Sequence, residues 1–565
     1  MEKLSNSFVP DFLLGVAGGI QYMKLKSASR NPRKSQEATL RAILTYSKET
    51  DYGREHDFGW ILQAQDDTEL YARYQQKVQA HDYEEVRPYM ERIKHGAADV
   101  LFPGRPVMYA TTSGTTKEPK WVPITPKYLK NIYGKMTKVW LFNFLKNRPK
   151  VYKGKIISIV STPVEGYAPD GLPYGSVSGV TRRDCPGFVK KLYTNPFEAY
   201  EIKDYTSRYY TIMRMGIEQN TTLSVTANPS TVIEMQNIVD KYFDLMCDNI
   251  EHGTLSDQMQ IADDIRRACQ PFLRPNPERA RELRQLKQQH GRVLPKHYWP
   301  DFQLLNCWHC GNTKIYYDKL QGFYPEQTLN QEFGYFSSEC RFGLVLDDTD
   351  YTVLFPHMHY YEFVEEHDLE SPNRTFLQLH ELQPGKRYCP FVTTFAGMFR
   401  YDMNDLVEVA PTPFCQTPRI FMIQKINGIV TMTGEKLHER QFIHAVHAAE
   451  EALHMPCRFF VGFADLELSA YHFYYEFTDR STSQADAERF TAYVDEQLKQ
   501  ENIEYASKRD SFRVKDPVTH RLVEFSFERF KEMCIKEGSR DGQFKMNLLM
   551  QDEKRHAKFK QLVEA

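Results

Sequence analysis

A strand run, a short polar loop and a long amphipathic helix follow one another at residues 222–249, and this order constrains the fold more than any other feature of the chain. Thr222 to Thr226 is rich in β-branched residues. Asn228 and Pro229 then break the run, and residues 232–249 carry apolar side chains at helical spacing. Two strands that are to lie parallel need a crossover of this kind, so the sequence predicts an α/β fold with helices flanking its sheets. A second buried-strand run, Lys155 to Val160, fits the same sheet. At 565 residues the chain exceeds what one core organises, which adds the expectation of at least two domains.

Upstream, an apolar lead-in (Val107, Met108, Tyr109) runs into Thr112, Ser113, Gly114, Thr115 and Thr116, followed by Lys117, Lys120 and the exit Trp121, Val122 and Pro123. Small side chains let backbone N–H groups point at an anion, hydroxyls donate as well, and a lysine adds positive charge; the stretch suits phosphate. The Walker pattern is absent, because Gly114 stands alone with hydroxyls around it. Taken alone, the same composition also describes an ordinary polar turn.

Two later stretches present ligand-type side chains. Residues 333–343 read as a small-residue turn that offers Tyr335 to a purine and Glu339 to Mg²⁺, an ion commonly held by a carboxylate together with phosphate oxygens. In residues 398–409, strand-like segments flank Asp405, which is suited to accept hydrogen bonds from ribose hydroxyls. An acid between two strands is, by itself, also a common turn residue.

The rest of the chain reads as supporting structure. Helices are expected over 35–54 (Ser35 and Glu37 as start signals, Gly53 as stop), over 67–79, after Pro88, and over 126–146 with Thr125 as cap. Residues 161–187 read as one long loop, and 277–290 as a charged helix. Cys307, His309 and Cys310 are metal-ligand types, but no second Cys/His pair follows at zinc-site distance, so a strand end with buried cysteines is the favoured reading. Asn427-Gly428 marks a hairpin between strands. Beyond it come a helix (439–453), two strands (458–463 and 471–477), a helix (485–500) and a glycine-flanked loop presenting Lys545. The expected domains are therefore 1–424 and a small α+β domain, 425–565.

Charge excludes some partners. With 72 Lys and Arg against 74 Asp and Glu, no global field favours nucleic acid or an anionic membrane. No apolar run is long enough to span a bilayer, and the first residues lack the basic, apolar, small-residue order of a cleaved leader. Ten cysteines without a dense framework fit reduced thiols in the cytoplasm. The sequence does not fix the oligomeric state, and a monomer is compatible with it.

The hydroxyl loop resembles the Thr/Ser-Ser-Gly-Thr-Thr loop of the adenylate-forming superfamily. Thr112 to Thr116, Tyr335 to Glu339, Tyr401 to Asp405, Thr433 to Glu439 and Gly542 to Lys545, with Tyr83 to Tyr89 before the loop, stand in an order similar to that of the auxin-responsive acyl-acid amido synthetases, the Gretchen-Hagen-three family, in a form like its microbial members. The resemblance implies a large N-terminal adenylating domain and a small mobile C-terminal domain that turns about residues 424–430. It implies ATP held by Thr112, Ser113, Gly114, Thr115 and Thr116 at the phosphates and by Tyr335, Phe336, Ser337 and Ser338 on the adenine side. Glu339 would hold Mg²⁺, Asp405 the ribose, Phe421 and Lys425 would complete the nucleotide site, and Lys545 would act with Glu339 in catalysis. The implied reaction joins a small carboxylic acid to an amine, an amino acid being the acceptor that fits best. A CoA ligase of the same superfamily and a non-catalytic nucleotide-binding homologue are the alternatives. Lys117 and Glu118 depart from the family pattern, which has glycine after the two threonines.

Overall fold

The computed structural model describes residues 8–112, 120–160, 163–310, 314–369, 371, 373–426, 429–430, 432, 435, 437–510, 514–537 and 546–564. The chain divides into two compact units, Met1–Met403 with Val407–Met422 and Asn404–Leu406 with Ile423–Ala565.

The first unit contains the parallel sheet. Its strands run in the order Lys155–Ile159, Thr221–Thr226, Leu304–Asn306 and Leu329–Gln331, each parallel to the next. Helix Tyr205–Glu218 lies between the first two strands in sequence and is buried from Ser207 to Ile217 on all sides. Arg208, Thr211 and Arg214 are buried along with its apolar residues, so polarity does not mark an exposed face, which is why periodicity did not reveal it. Helix Pro229–His252 follows the second strand, and Asn276 caps the charged helix Pro277–His290 by accepting the Arg279 N–H at 3.2 Å.

A second, largely antiparallel sheet carries the signature segments. Its order is Leu377–Gln378, Tyr360–Glu365, Arg387–Thr393, Asp405–Val409, Arg419–Lys425, Thr352–Leu354 and Gly343–Val345, with Tyr401–Asp402 added beside Arg387–Thr393. Arg400 crosses the interior under it. Its guanidinium donates to both carboxylate oxygens of Glu362 (3.0 and 2.9 Å) and to the Val78 carbonyl (2.8 Å). A buried charge is tolerated when it is paired and bonded in this way, and here the pairing holds a residue of positive φ (49°) directly before Tyr401.

The second unit is built on the strands Val518–Arg521, Ala470–Phe477, Cys457–Asp465 and Leu549–Met550, antiparallel in the centre and parallel at both edges. Alternation along Ala470–Phe477 sends Phe473 and Tyr475 to one face, against Phe442 (4.7 Å) and Phe490 (5.0 Å) of helices Glu439–Leu453 and Gln484–Glu501. His472 and Tyr474 face the other way, where His520 and His556 join them. Burial, together with the neighbouring histidines and Lys560, pushes His520 and His556 down to about 4. In the unfolded chain a histidine titrates near ~6.5. Their folded pKa is depressed, so the stability they contribute is complete above that pH and is lost as pH falls towards 4. Thermal melts are expected to lose several degrees between pH 7 and pH 4.5, and His520→Phe to flatten this acid limb.

Local signals explain where elements differ from the sequence expectation. The region 35–54 is two helices. Pro32–Ser47 is capped by Asn31, whose Oδ1 accepts the Lys34 N–H at 3.0 Å, and Asp51–Glu55 is capped by Thr50. Helix Tyr83–Lys94 starts at its Asp82 cap and carries Pro88 inside it rather than beginning after it. Thr125 does cap the next helix through the Tyr128 N–H (3.0 Å), but Tyr128–Tyr133 is a wider π-turn before Gly134–Asn147. The expected loop at 161–187 contains short strands Gly166–Tyr167 and Pro173–Tyr174 and helix Val177–Arg183, capped by Ser176. Ile429–Val430 pairs with Leu437–His438, while Asn427 and Gly428 lie outside the described residues.

Candidate active site

The hydroxyl loop springs from a hairpin. Met108–Thr112 and Lys120–Ile124 pair antiparallel with Thr112 opposite Lys120, so residues 113–119 span from one strand end to the other. Ser113, Gly114, Thr115 and Thr116 lie outside the described residues, as does the side chain of Thr112.

The strand leaving the loop is pinned by Tyr83. Its hydroxyl accepts the Trp121 N–H at 2.6 Å and donates to the Trp121 carbonyl at 2.9 Å, taking the place of a neighbouring strand. Next to that anchor, the Lys120 ammonium donates to the Tyr401 hydroxyl (3.3 Å) and lies over the rings of Tyr83 (5.7 Å) and Tyr401 (5.9 Å). Glu339 is the acid of this group. After burial, its charge is the next influence raising the Tyr401 hydroxyl, and it adds to the burial that pushes Tyr83 up to about 12. Two phenols and one ammonium therefore meet beside the Thr112–Lys120 pair, and the charge of Glu339 acts on both phenols, all within the first unit.

Glu339 owes its position to a tight turn. Ser337 closes it, its hydroxyl accepting the Cys340 N–H at 3.1 Å and its backbone N–H donating to the Cys340 carbonyl at 3.0 Å, which leaves Ser338 and Glu339 half-buried at the tip. Tyr335 is turned into the core, stacked on Phe342 (4.3 Å between centroids), while the half-buried Phe336 lies beneath the Arg341 guanidinium (4.3 Å). Gly334 has a φ of 101°, and a Cβ there would fall 2.7 Å from the Gly343 carbonyl oxygen. Gly334→Ala therefore meets backbone strain and a backbone clash together. We expect it to destabilise the protein by at least about 1–2 kcal/mol, read as a lower Tm, and to weaken nucleotide binding.

Asp405 opens the strand Asp405–Val409, buried, just after Asn404 in the left-handed region (φ 52°), whose carbonyl accepts the Ile426 N–H at 2.9 Å. Lys425 ends the strand Arg419–Lys425, and its side chain lies outside the described residues. Phe421, earlier in that strand, is half-buried and edge-on to Tyr351 (6.2 Å). Lys545 lies outside the described residues. The structure thus brings Lys120, Tyr83 and Tyr401 together at the base of the loop, partners the sequence had not singled out, and the charge of Glu339 acts on both phenols. The half-buried Glu339 carboxylate is a hard oxygen donor, the ligand type that Mg²⁺ takes.

The fold is one shared with solved adenylate-forming ligases, and the chain belongs to the GH3 family. The family's N-terminal, central and C-terminal domain descriptions match residues 21–329, 352–425 and 440–554. From Arabidopsis thaliana, the 4-substituted benzoates-glutamate ligase GH3.12 is 24% identical, with 92% of this chain and 93% of the relative covered. The probable indole-3-acetic acid-amido synthetase GH3.1 of the same plant is 25% identical, with 92% and 90% covered. The solved GH3.15 acyl acid amido synthetase superposes with a TM-score of 0.82 at 21% identity, covering 96% of this chain and 95% of that one. A 2-hydroxyisobutyryl-CoA ligase in the postadenylation state shares the fold more distantly, with a TM-score of 0.52 at 11% identity, covering 94% of this chain and 91% of that one. No helix among the described residues is long and apolar enough to cross a membrane.

Proposed function

We propose that this GH3-family ligase activates a small carboxylic acid with ATP and transfers the acyl group to an amine, with an amino acid as the acceptor. The observation that carries the reading is the meeting of Lys120, Tyr83 and Tyr401 beside the Thr112–Lys120 pair that flanks the hydroxyl loop, with the charge of Glu339 acting on both phenols. A carboxylate is a poor acyl donor because its leaving group would be oxide. Its oxygen therefore attacks the α-phosphorus of ATP, the bond between the α-phosphorus and the bridging oxygen breaks, and pyrophosphate leaves. The amine nitrogen then attacks the acyl carbon, AMP departs, and the amine proton passes to solvent.

Negative charge on phosphate oxygens is the main electrostatic demand of the first step. In this reading Thr112, Ser113, Gly114, Thr115 and Thr116 donate to those oxygens, and Lys120 and Lys545 add positive charge. Mg²⁺ bound by Glu339 would neutralise phosphate charge when present. Asp405 accepts the ribose hydroxyls, and the segment Tyr335 to Ser338, with Phe421 and Lys425, borders the base. We assign these roles to domains 1–424 and 425–565, and infer a cytoplasmic setting, with which ten cysteines spread along the chain without a dense framework agree.

A matrix of acids against amines, read by pyrophosphate release and product mass, tests the assignment. Acid-dependent pyrophosphate release with an amide product supports it; no acid-dependent release across the matrix refutes it. The fold shared with a CoA ligase favours one rival, an acyl-CoA synthetase. Adding CoA to the same matrix separates them, since a thioester would then replace the amide.

A further inference from the structure

The strands Leu304–Asn306 and Leu329–Gln331 are parallel neighbours, so their carboxyl ends emerge at one edge of the sheet, the edge where α/β proteins place ligands. Cys307 to Cys310 follows the first and Glu332 follows the second. There, one atom each from His309, Cys310 and Glu332 lie within 4.8 Å of one another. Glu332 is the partner that sequence spacing could not supply, because the fold brings it from a different strand.

The His309 side chain is only 9% exposed. Its Nε2 sits 2.7 Å from a carboxylate oxygen of Asp350. A carboxylate oxygen accepts, so in the neutral ring Nε2 carries the hydrogen and Nδ1 offers a lone pair. That Nδ1 is buried, makes no hydrogen bond among the described residues, and lies 4.0 Å from Glu332 Oε2. Glu332 is held rigidly: Oε2 accepts the N–H groups of His309 (2.6 Å) and Cys310 (3.1 Å), and Oε1 those of Phe333 (2.9 Å) and Gly334 (3.4 Å). A histidine whose far nitrogen is oriented by a carboxylate, and a carboxylate fixed by backbone donors, is how ligands are supported around a protein-bound metal ion.

We propose that His309 Nδ1, Cys310 Sγ and the Glu332 carboxylate form a binding site for a divalent transition ion of the zinc type, with a fourth position open. Binding replaces the Cys310 S–H bond by a sulfur–metal bond and releases one proton to solvent. With bonds of about 2.0–2.3 Å, tetrahedral ligands stand roughly 3.5 Å apart, so the three side chains close in by about 1 Å. The ion ties the segment after Leu304–Asn306 to the residue directly before Phe333 and Gly334, and so braces the turn that carries Glu339.

The full-length protein, stripped with a chelator, is titrated with zinc against a chromophoric competitor and with cobalt. One equivalent should bind through sulfur, giving a thiolate-to-cobalt charge-transfer band, which binding by histidine or carboxylate alone cannot produce. Cys310→Ser and His309→Gln should each weaken zinc by at least about 100-fold, and Asp350→Asn, which only orients the ring, by 10–100-fold. Cys307→Ser should leave binding unchanged, and circular dichroism confirms that each variant is folded. No charge-transfer band in the wild type, or a band that survives Cys310→Ser, overturns the proposal. Cys310→Ala is the second variant if serine perturbs folding.

Discussion

Glu339→Ala is expected to lower acid-dependent pyrophosphate release by about 10²–10³-fold, the loss seen when one preorganised electrostatic group is removed from a site of developing charge. Glu339 stands at the tip of a turn closed by Ser337, and its charge acts on the hydroxyls of Tyr83 and Tyr401. The carboxylate is half-buried and its side chain does not close the turn, so its removal should leave the Tm nearly unchanged. Glu339→Gln keeps the shape and removes the charge. It should be nearly as impaired, whereas Glu339→Asp should recover partly as Mg²⁺ is raised. If the glutamine variant released pyrophosphate at the wild-type rate, the metal-binding role would be wrong. The same loss should appear whichever acid is supplied, because Glu339 is assigned to the nucleotide and not to the acyl group.

Lys545→Ala should separate the two half-reactions. A lysine that offsets charge on phosphate oxygens acts in adenylation, so acid-dependent pyrophosphate release should fall by about 10²–10³-fold. Aminolysis of a synthetic acyl-adenylate, in which no phosphorus–oxygen bond to pyrophosphate remains to be broken, should change little. Lys545→Arg keeps the charge but replaces a compact ammonium with a planar fork, and intermediate activity is expected. Equal losses in both half-reactions would show that Lys545 supports the fold or the acyl group rather than the first chemical step.

Much of this was legible in the sequence, for reasons that differ from element to element. The crossover of the parallel sheet was readable because Thr221–Thr226 and Pro229–His252 obey local rules of β-branching, breaker and helical period. The turn at Glu339 was readable because small residues and one carboxylate are confined to a few adjacent positions. Helix Tyr205–Glu218 was not, since its polar residues Arg208, Thr211 and Arg214 are buried with the apolar ones and do not mark an exposed face. Helix starts at Asn31 and Asp82 were missed in favour of nearby signals at Ser35 and Pro88, although both true caps are side-chain oxygens that accept an early helical N–H.

The site was legible only in part. Its signature residues lie in short motifs, but the contacts that join Lys120 to Tyr83 and Tyr401 link residues far apart in the chain. No local pattern encodes such a pairing. Glu332 illustrates the same limit, because its meeting with His309 and Cys310 depends on two strands being neighbours in the sheet.

The most direct measurement is exchange of labelled pyrophosphate into ATP in the absence of any amine. A first step that forms an acyl-adenylate reversibly predicts exchange that requires a carboxylic acid and Mg²⁺ and is lost in Glu339→Ala. Exchange that no acid supports, or hydrolysis of ATP to ADP and phosphate in its place, would contradict it.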